Sequence, residues 1–317
     1  MIVRWGLEEL PGVLRELGID RQFLVASPRW NELDLPPVEA RWEEIPSHRI
    51  EVPKGVDGIL AVGGGSAIDT AKAASSETGL PLVSVPTTYS GSEWTTSYGI
   101  RDPSERMVGG GGGANLAAIV YDPALTLDLP REVTAGTALN ALAHSAEALY
   151  HPARSPESDR AAHEGAELIN GSLPAVLQDL GAIGPRTTLL KGAARAGEAL
   201  GLSGLCLGHA MAQALGGRYG LPHGAMNALC LPAALRFNEA VAEEAIDDFG
   251  KSLGADHAAD RIEELARLGG FERLRDFGVP EDELDEVGEA TAVRAGAKAN
   301  PRPASPAEIA ELFRSIY

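Results

Sequence analysis

Up to about residue 125 the chain alternates short apolar runs with helix-patterned stretches. Residues 23–26, 58–62, 82–85 and 117–121 are strand-like, and 69–78 carries helical spacing. Strands interleaved with helices predict a parallel sheet with helices on its faces. Beyond Leu129-Pro130 the pattern changes to long, Ala-rich segments of 3.6-residue period, with no convincing strand as far as Tyr317. This predicts an α/β domain over 1–127 and an all-α domain over 128–317, joined at the turn from Asp122-Pro123 to Pro130-Arg131. The active cleft is expected between two such halves, where ligand sites often form. Five consecutive glycines at 109–113 lose maximal backbone entropy on ordering, which predicts a mobile loop.

With 317 residues and 44% hydrophobic content, the chain can bury one large core or two ordinary ones. Its 27 basic against 45 acidic residues give a net charge of -18, which repels nucleic acid and anionic lipid and argues against both as partners. The acid-rich stretch 243–286 reads as a solvated helical face. Cys206 and Cys230 lie in apolar surroundings and suit small core thiols in a reducing compartment. Neither a signal segment nor an apolar run near the roughly 18 residues of a membrane span is visible. A cytoplasmic protein acting on a small molecule is expected.

Candidate chemistry concentrates in two histidine-bearing stretches, Asn140-Ala-Leu-Ala-His144 and His209-Ala-Met-Ala-Gln213, followed by Leu221-Pro222-His223-Gly224. Residues four apart share a helix face, so each pair can point into one site. Iron or zinc would want three imidazoles plus an anionic oxygen, and here the oxygen is offered only by the neutral amide of Asn140. Separately, Gly63-Gly64-Gly65-Ser66 follows the strand-like 59–62 and opens a helix. Such a turn lets backbone N–H groups approach a pyrophosphate, with Ser66 as an added donor. His48, His151, His163 and His257 read as satisfied core or surface residues.

The segments 204–212, 215–217 and 221–228 resemble the signature of the iron-containing (group III) alcohol dehydrogenases. Val85-Pro86-Thr87-Thr88-Tyr89-Ser90-Gly91-Ser92-Glu93, Tyr121-Asp122-Pro123, Asn140 to His144 and the terminal Asn300-Pro301-Arg302-Pro303 are most similar to the maleylacetate reductase branch, which carries Asn where the dehydrogenases carry Asp. The resemblance implies a dehydroquinate-synthase-like fold: a Rossmann-like dinucleotide-binding α/β domain plus a helical domain, in a homodimer. It implies that Gly63, Gly64, Gly65, Ser66, Asp69, Thr87, Thr88 and Ser92 contact the cofactor, and that His144, His209 and His223 line the catalytic pocket. For Asp69 a first-turn charge favoured by the helix dipole is the competing reading. The N-terminal half is short for the family, as if a strand or loop near 36–46 had been trimmed.

The strand ending near Ala26 is where such enzymes select NADH or NADPH; Ser27 cannot repel a 2′-phosphate and Arg29 could attract one, so either cofactor is expected. The chain departs from the family pattern at Gln213, where a second histidine is usual, at Arg106 or Met107, where a cofactor-side lysine is usual, and at the pentaglycine. The expected activity is reduction of a small polar enone or carbonyl by NADH or NADPH without a metal, with Asn140, Gln213 and Arg302 as substrate contacts; Arg302 could equally tie down the C-terminus. The alternatives are a metal-dependent alcohol dehydrogenase, with iron or zinc on Asn140, His144, His209 and His223, and a non-redox protein reusing the two-domain cleft.

Overall fold

The computed structural model describes residues 1–47, 49–102 and 106–317, and His48 lies outside the described residues. The described chain divides into two compact units, Met1–Thr88 with Ser92–Leu127, and Tyr89–Gly91 with Asp128–Tyr317.

The first unit is built on a six-stranded sheet. Its elements are β1 (Ile2–Trp5), α1 (Leu10–Leu17), β2 (Gln22–Ala26), β3 (Ala40–Trp42), β4 (Gly58–Gly63), α2 (Gly65–Thr78), β5 (Pro81–Pro86), β6 (Tyr98–Arg101), β7 (Met107–Gly111) and β8 (Asn115–Tyr121). The sheet order is β1-β8-β5-β4-β2-β3 and every neighbouring pair is parallel. Strands β2, β4 and β5 read as continuous apolar runs because both faces of a parallel sheet are covered. Alternate residues serve opposite cores: Leu24, Ala26, Leu60 and Val62 pack with Leu10, Val13 and Leu14 of α1. Phe23, Val25, Ile59 and Ala61 pack with Ile68, Ala71 and Ala74 of α2. From β2 the chain moves outward to β3, and from β4 it moves the other way to β5. The strand order therefore reverses between β2 and β4, and ligands of doubly wound sheets bind beyond the carboxyl ends at such a reversal.

The pentaglycine corrects the sequence expectation of a mobile loop. Gly109, Gly110 and Gly111 lie in β7 and pair antiparallel with Ile100, Gly99 and Tyr98 of β6. The reason is steric: a Cβ at Gly111 would lie 2.6 Å from Tyr98 Oη, and one at Gly110 would lie 2.8 Å from Tyr98 O. A side chain at Gly110 would meet the Tyr98 backbone, and one at Gly111 would displace the Tyr98 ring. Ser76 Oγ of α2 then holds the turn beyond it by donating to Gly112 O at 2.6 Å.

The second unit is helical: α3 (Arg131–Tyr150), α4 (Pro156–Gln178), α5 (Ile183–Leu202), α6 (Leu207–Tyr219), α7 (His223–Ser252), α8 (Ala258–Gly269), α9 (Leu284–Ala292), α10 (Ala295–Ala299) and α11 (Pro306–Ser315). Helix α3 is buried on every face from Ala138 to Tyr150, so its polar groups there, Asn140, His144, Ser145 and Glu147, face the protein interior. Close approach to α7 depends on glycine, since a Cβ at Gly224 would lie 2.4 Å from Gly136 O. The acidic stretch 243–286 forms surface ion pairs, among them Asp260 and Glu263 with Arg236 and Glu283 and Glu286 with Arg218. Among the described residues no helix is long and apolar enough to cross a membrane. Both cysteines are buried and free, with thiols pushed up by burial.

Candidate active site

In the first unit the glycine turn sits at the end of β4, next to the strand-order reversal. Gly63 has φ 152°, a conformation that favours glycine, and a Cβ there would lie 2.7 Å from the Cβ of Ala67. Its carbonyl accepts from Thr87 N at 3.0 Å, which ties the end of β5 to the turn. Gly64 is the N-cap of α2 and makes no side-chain capping bond; Ala67 N and Ile68 N donate to its carbonyl, which leaves the N–H groups of Gly65 and Ser66 to an anion. Thr88 closes over Gly64, its methyl 2.9 Å from where a Cβ would be, and its buried hydroxyl has no protein partner. A half-buried backbone cradle beside an unsatisfied hydroxyl fits the pyrophosphate of a nicotinamide dinucleotide.

Asp69 and Ser92, expected at the cofactor, share a hydrogen-bond network with Lys72. The fully buried Lys72 ammonium is held by Asp69 Oδ1 at 3.1 Å, Ser92 Oγ at 2.8 Å, Thr95 Oγ1 at 3.1 Å and Ser97 O at 2.8 Å. Ser92 in turn donates to Asp69 at 2.6 Å, and Gly99 N donates to the other carboxylate oxygen at 3.2 Å. Their polar atoms are spent on locking α2 to the 92–99 segment. Beside them Glu93 is buried; burial raises its carboxyl above the usual range, opposed by the Tyr121 hydroxyl that donates to it at 2.6 Å.

In the second unit α3, α6 and α7 bring the three histidines together. The rings of His144 and His209 stack with centroids 4.8 Å apart and planes 12° apart, and His223 tilts against His209 at 5.9 Å. Asn140 donates through Nδ2 to Ser90 O at 3.0 Å, with His144 Nε2 3.4 Å from the same nitrogen. Its Oδ1 accepts from Asn227 Nδ2 at 2.7 Å, and Asn227 Nδ2 also lies 3.0 Å from His223 Nε2. A backbone carbonyl can only accept, so Ser90 decides which way the Asn140 amide points. Burial pulls the His144 ring well below its usual pKa, helped by the charges of His209 and His223, so it is neutral at physiological pH. His144 Nδ1 and His209 Nε2 are buried without a partner among the described residues, as is Ser90 Oγ.

An iron or zinc ion would need in-plane lone pairs converging from the rings and an anionic oxygen. The side-chain oxygen at position 140 is an amide oxygen already bonded by Asn227. Glu147, the carboxylate bonded to the cluster, is engaged behind His209. Among the described residues no group of three or more His, Cys, Asp or Glu side chains is arranged to hold a metal. The donor set offered by these residues is three imidazoles and an amide, without the anionic oxygen that such an ion prefers.

Gln213 lies one turn beyond His209 on α6, half-buried. Arg302 is committed elsewhere: it donates to Phe237 O at 3.0 Å and Glu308 Oε1 at 2.9 Å and stacks on the Phe237 ring at 3.8 Å. His163 Nδ1 lies 2.8 Å from Ser252 Oγ, and His151 Nδ1 accepts from Ala153 N. Asn227 and Glu147 were missed from sequence, although Asn227 follows His223 by the same four-residue spacing used for Asn140 and His144.

Residues 134–317 match the C-terminal model of the Fe-containing alcohol dehydrogenase family and 47–123 match the iron-containing alcohol dehydrogenase model. Maleylacetate reductase from Burkholderia cepacia is 35% identical over 85% of the chain and 76% of its own length. The one from Pseudomonas knackmussii is 31% identical over 98% and 93%. The chain belongs to the iron-containing alcohol dehydrogenase family, in its maleylacetate reductase branch. The crystal structure of a Rhizobium maleylacetate reductase superposes with a TM-score of 0.88 at 26% identity, covering all of this chain and 95% of that one. As a member of this family the protein is an NAD(P)H-dependent oxidoreductase. The parallel sheet followed by a helical unit is the fold that membership implies.

Proposed function

We propose that the protein reduces a small polar enone or carbonyl compound of the maleylacetate type, using NADH or NADPH and no metal. The observation that carries this reading is the Asn140 amide, held between Ser90 O and Asn227 in the middle of three histidines. A neutral, hydrogen-bonding group occupies the place where a metal site needs charge. Gly63, Gly64, Gly65, Ser66, Thr87 and Thr88 would hold the dinucleotide, and Ser27 and Arg29 beyond β2 put no acid against a 2′-phosphate. The nicotinamide, when bound, supplies a hydride. The chain's own part is to receive the charge that develops on the substrate oxygen. His144 contributes as a neutral hydrogen-bonding ring, while His209 and His223 complete a set able to bind that oxygen or carry a proton to it.

The test is oxidation of NADH and NADPH by the purified protein with maleylacetate and a panel of enones and aldehydes, alongside metal analysis. Turnover that survives chelation, at far less than one metal per chain, is expected. One tightly held metal per chain with activity lost on chelation would replace this reading with the metal-dependent dehydrogenase.

A further inference from the structure

Glu147 lies on α3 three residues after His144, and its carboxylate is fully buried. Three N–H groups converge on it. Cys206 N donates to Oε2 at 2.6 Å, His209 N donates to Oε1 at 3.1 Å, and His209 Nδ1 lies 2.7 Å from Oε2. Two of these belong to the start of α6, where the N-cap Cys206 makes no side-chain capping bond of its own. Glu147 therefore caps α6 from another helix, and the positive end of the helix helps offset its charge. Gly208 makes room for it, since a Cβ there would lie 3.0 Å from Oε1.

An ionised carboxylate only accepts, so the proton of a neutral His209 ring must sit on Nδ1. The lone pair is then on Nε2, the buried ring nitrogen that has no partner among the described residues. We propose that Glu147 is a positioning residue for the reduction, holding His209 in its Nδ1–H tautomer so that Nε2 is the atom through which the ring meets the substrate. This rests on the reductase reading for its consequence in turnover, but the tautomer itself does not. Carboxylates that orient a functional histidine through its far nitrogen act in this way, by fixing both tautomer and ring rotation.

Glutamine at 147 does only part of this work, and in one of its two orientations it still accepts from Nδ1. Each carboxylate oxygen takes a backbone N–H, and an amide has only one oxygen. Either its NH2 faces His209 N, or it faces Cys206 N and Nδ1 and drives the ring proton to Nε2. The experiment uses full-length protein labelled with 15N-histidine, with long-range proton–nitrogen correlations assigned to His209 by their loss in His209→Gln. The parent is expected to show a protonated Nδ1 and a bare Nε2 in the neutral ring. Glu147→Leu, which offers no acceptor in either orientation, is expected to shift the proton toward Nε2 and lower kcat at least tenfold while NADH affinity stays within twofold. A purely structural cap would lower stability without moving the tautomer or kcat per folded molecule, and that result overturns the proposal. So does a tautomer shift with unchanged kcat. If the variant does not fold, the parent spectrum decides, and a proton on Nε2 there overturns it. Absence of reductase activity in the parent would instead remove the reading on which the turnover effect rests, leaving the tautomer to be judged by the spectrum.

Discussion

Replacing Asn140 by Asp restores the residue type of a metal-binding site with little change in volume, and the surroundings of Asn140 determine what that costs. The amide nitrogen lies 3.0 Å from Ser90 O, and position 140 is 3% exposed. A carboxylate oxygen at the same place would face a carbonyl oxygen, and no cation is bonded there to offset it. One hydrogen bond worth roughly 1 kcal/mol is lost, and an uncompensated buried charge brings the total to about 3–5 kcal/mol. For a unit of this size that lowers the midpoint of thermal unfolding by about 2–4 °C per kcal/mol. Burial also raises the folded pKa of the new carboxyl above its unfolded value of roughly 3.9. The penalty is then full above the folded pKa and fades as pH falls toward the unfolded one, because the protonated acid can donate to Ser90 O.

Divalent zinc supplies the other rescue. An ion that binds only the folded variant returns about 2.7 kcal/mol at a hundred times its dissociation constant. Thermal melts of Asn140→Asp and parent, in chelator and in graded zinc, at neutral and mildly acidic pH, read all of these terms. The expected pattern is a variant that melts well below the parent in chelator and is recovered by acid or by zinc, while the parent gains little from zinc. A variant as stable as the parent at neutral pH in chelator would show that Ser90 and Asn227 do not dictate the amide, and the reasoning would fail.

Two further outcomes are open to measurement. Gly64→Val puts a branched side chain against Thr88, whose methyl is 2.9 Å from the Cβ position; NADH titration is expected to show at least tenfold weaker binding, about 1.4 kcal/mol, and unchanged affinity would take the glycine turn out of the cofactor site. Glu93→Gln removes a buried carboxylate whose folded pKa is raised, so its advantage over the parent in urea unfolding should be largest above that pKa and vanish as pH falls below the ordinary value of about 4.5; a pH-independent difference would show that Glu93 does not titrate with folding.

Strands β2, β4, β5 and β8 were legible because buried parallel strands are continuous apolar runs, and the helical half because its period is sustained. The hairpin of β6 and β7 was not. Glycine has no side chain to reveal a period of two, and the pairing depends on the Tyr98 ring lying over Gly111. The three residues of β3 and the half-exposed β1 are too short and too mixed to announce themselves. At the site, the gathering of His144, His209 and His223 followed from their family register. The occupation of Asp69 and Ser92 by Lys72 did not, since it requires the 92–99 segment to fold back on α2. Arg302 was left between substrate and C-terminus, and only the placement of Phe237 and Glu308 shows what it touches.

Asn140, His144 and Glu147 follow one another at positions i, i+4 and i+7, on one face of α3. The two ends of that face make opposite demands, and backbone atoms set both. At Asn140 the fixed partner is the Ser90 carbonyl, which requires a donor; at Glu147 the fixed partners are the N–H groups of Cys206 and His209, which require acceptors. Backbone groups cannot be exchanged by substitution, so moving the negative charge from 147 to 140 is not a neutral rearrangement. Combining Asn140→Asp with Glu147→Gln keeps the net charge of the cluster but leaves an acceptor facing an acceptor at one end and a donor facing donors at the other. In the proposed reductase the histidines would therefore work between a neutral amide and a charge held behind His209, with proton and hydrogen-bond chemistry at Nε2.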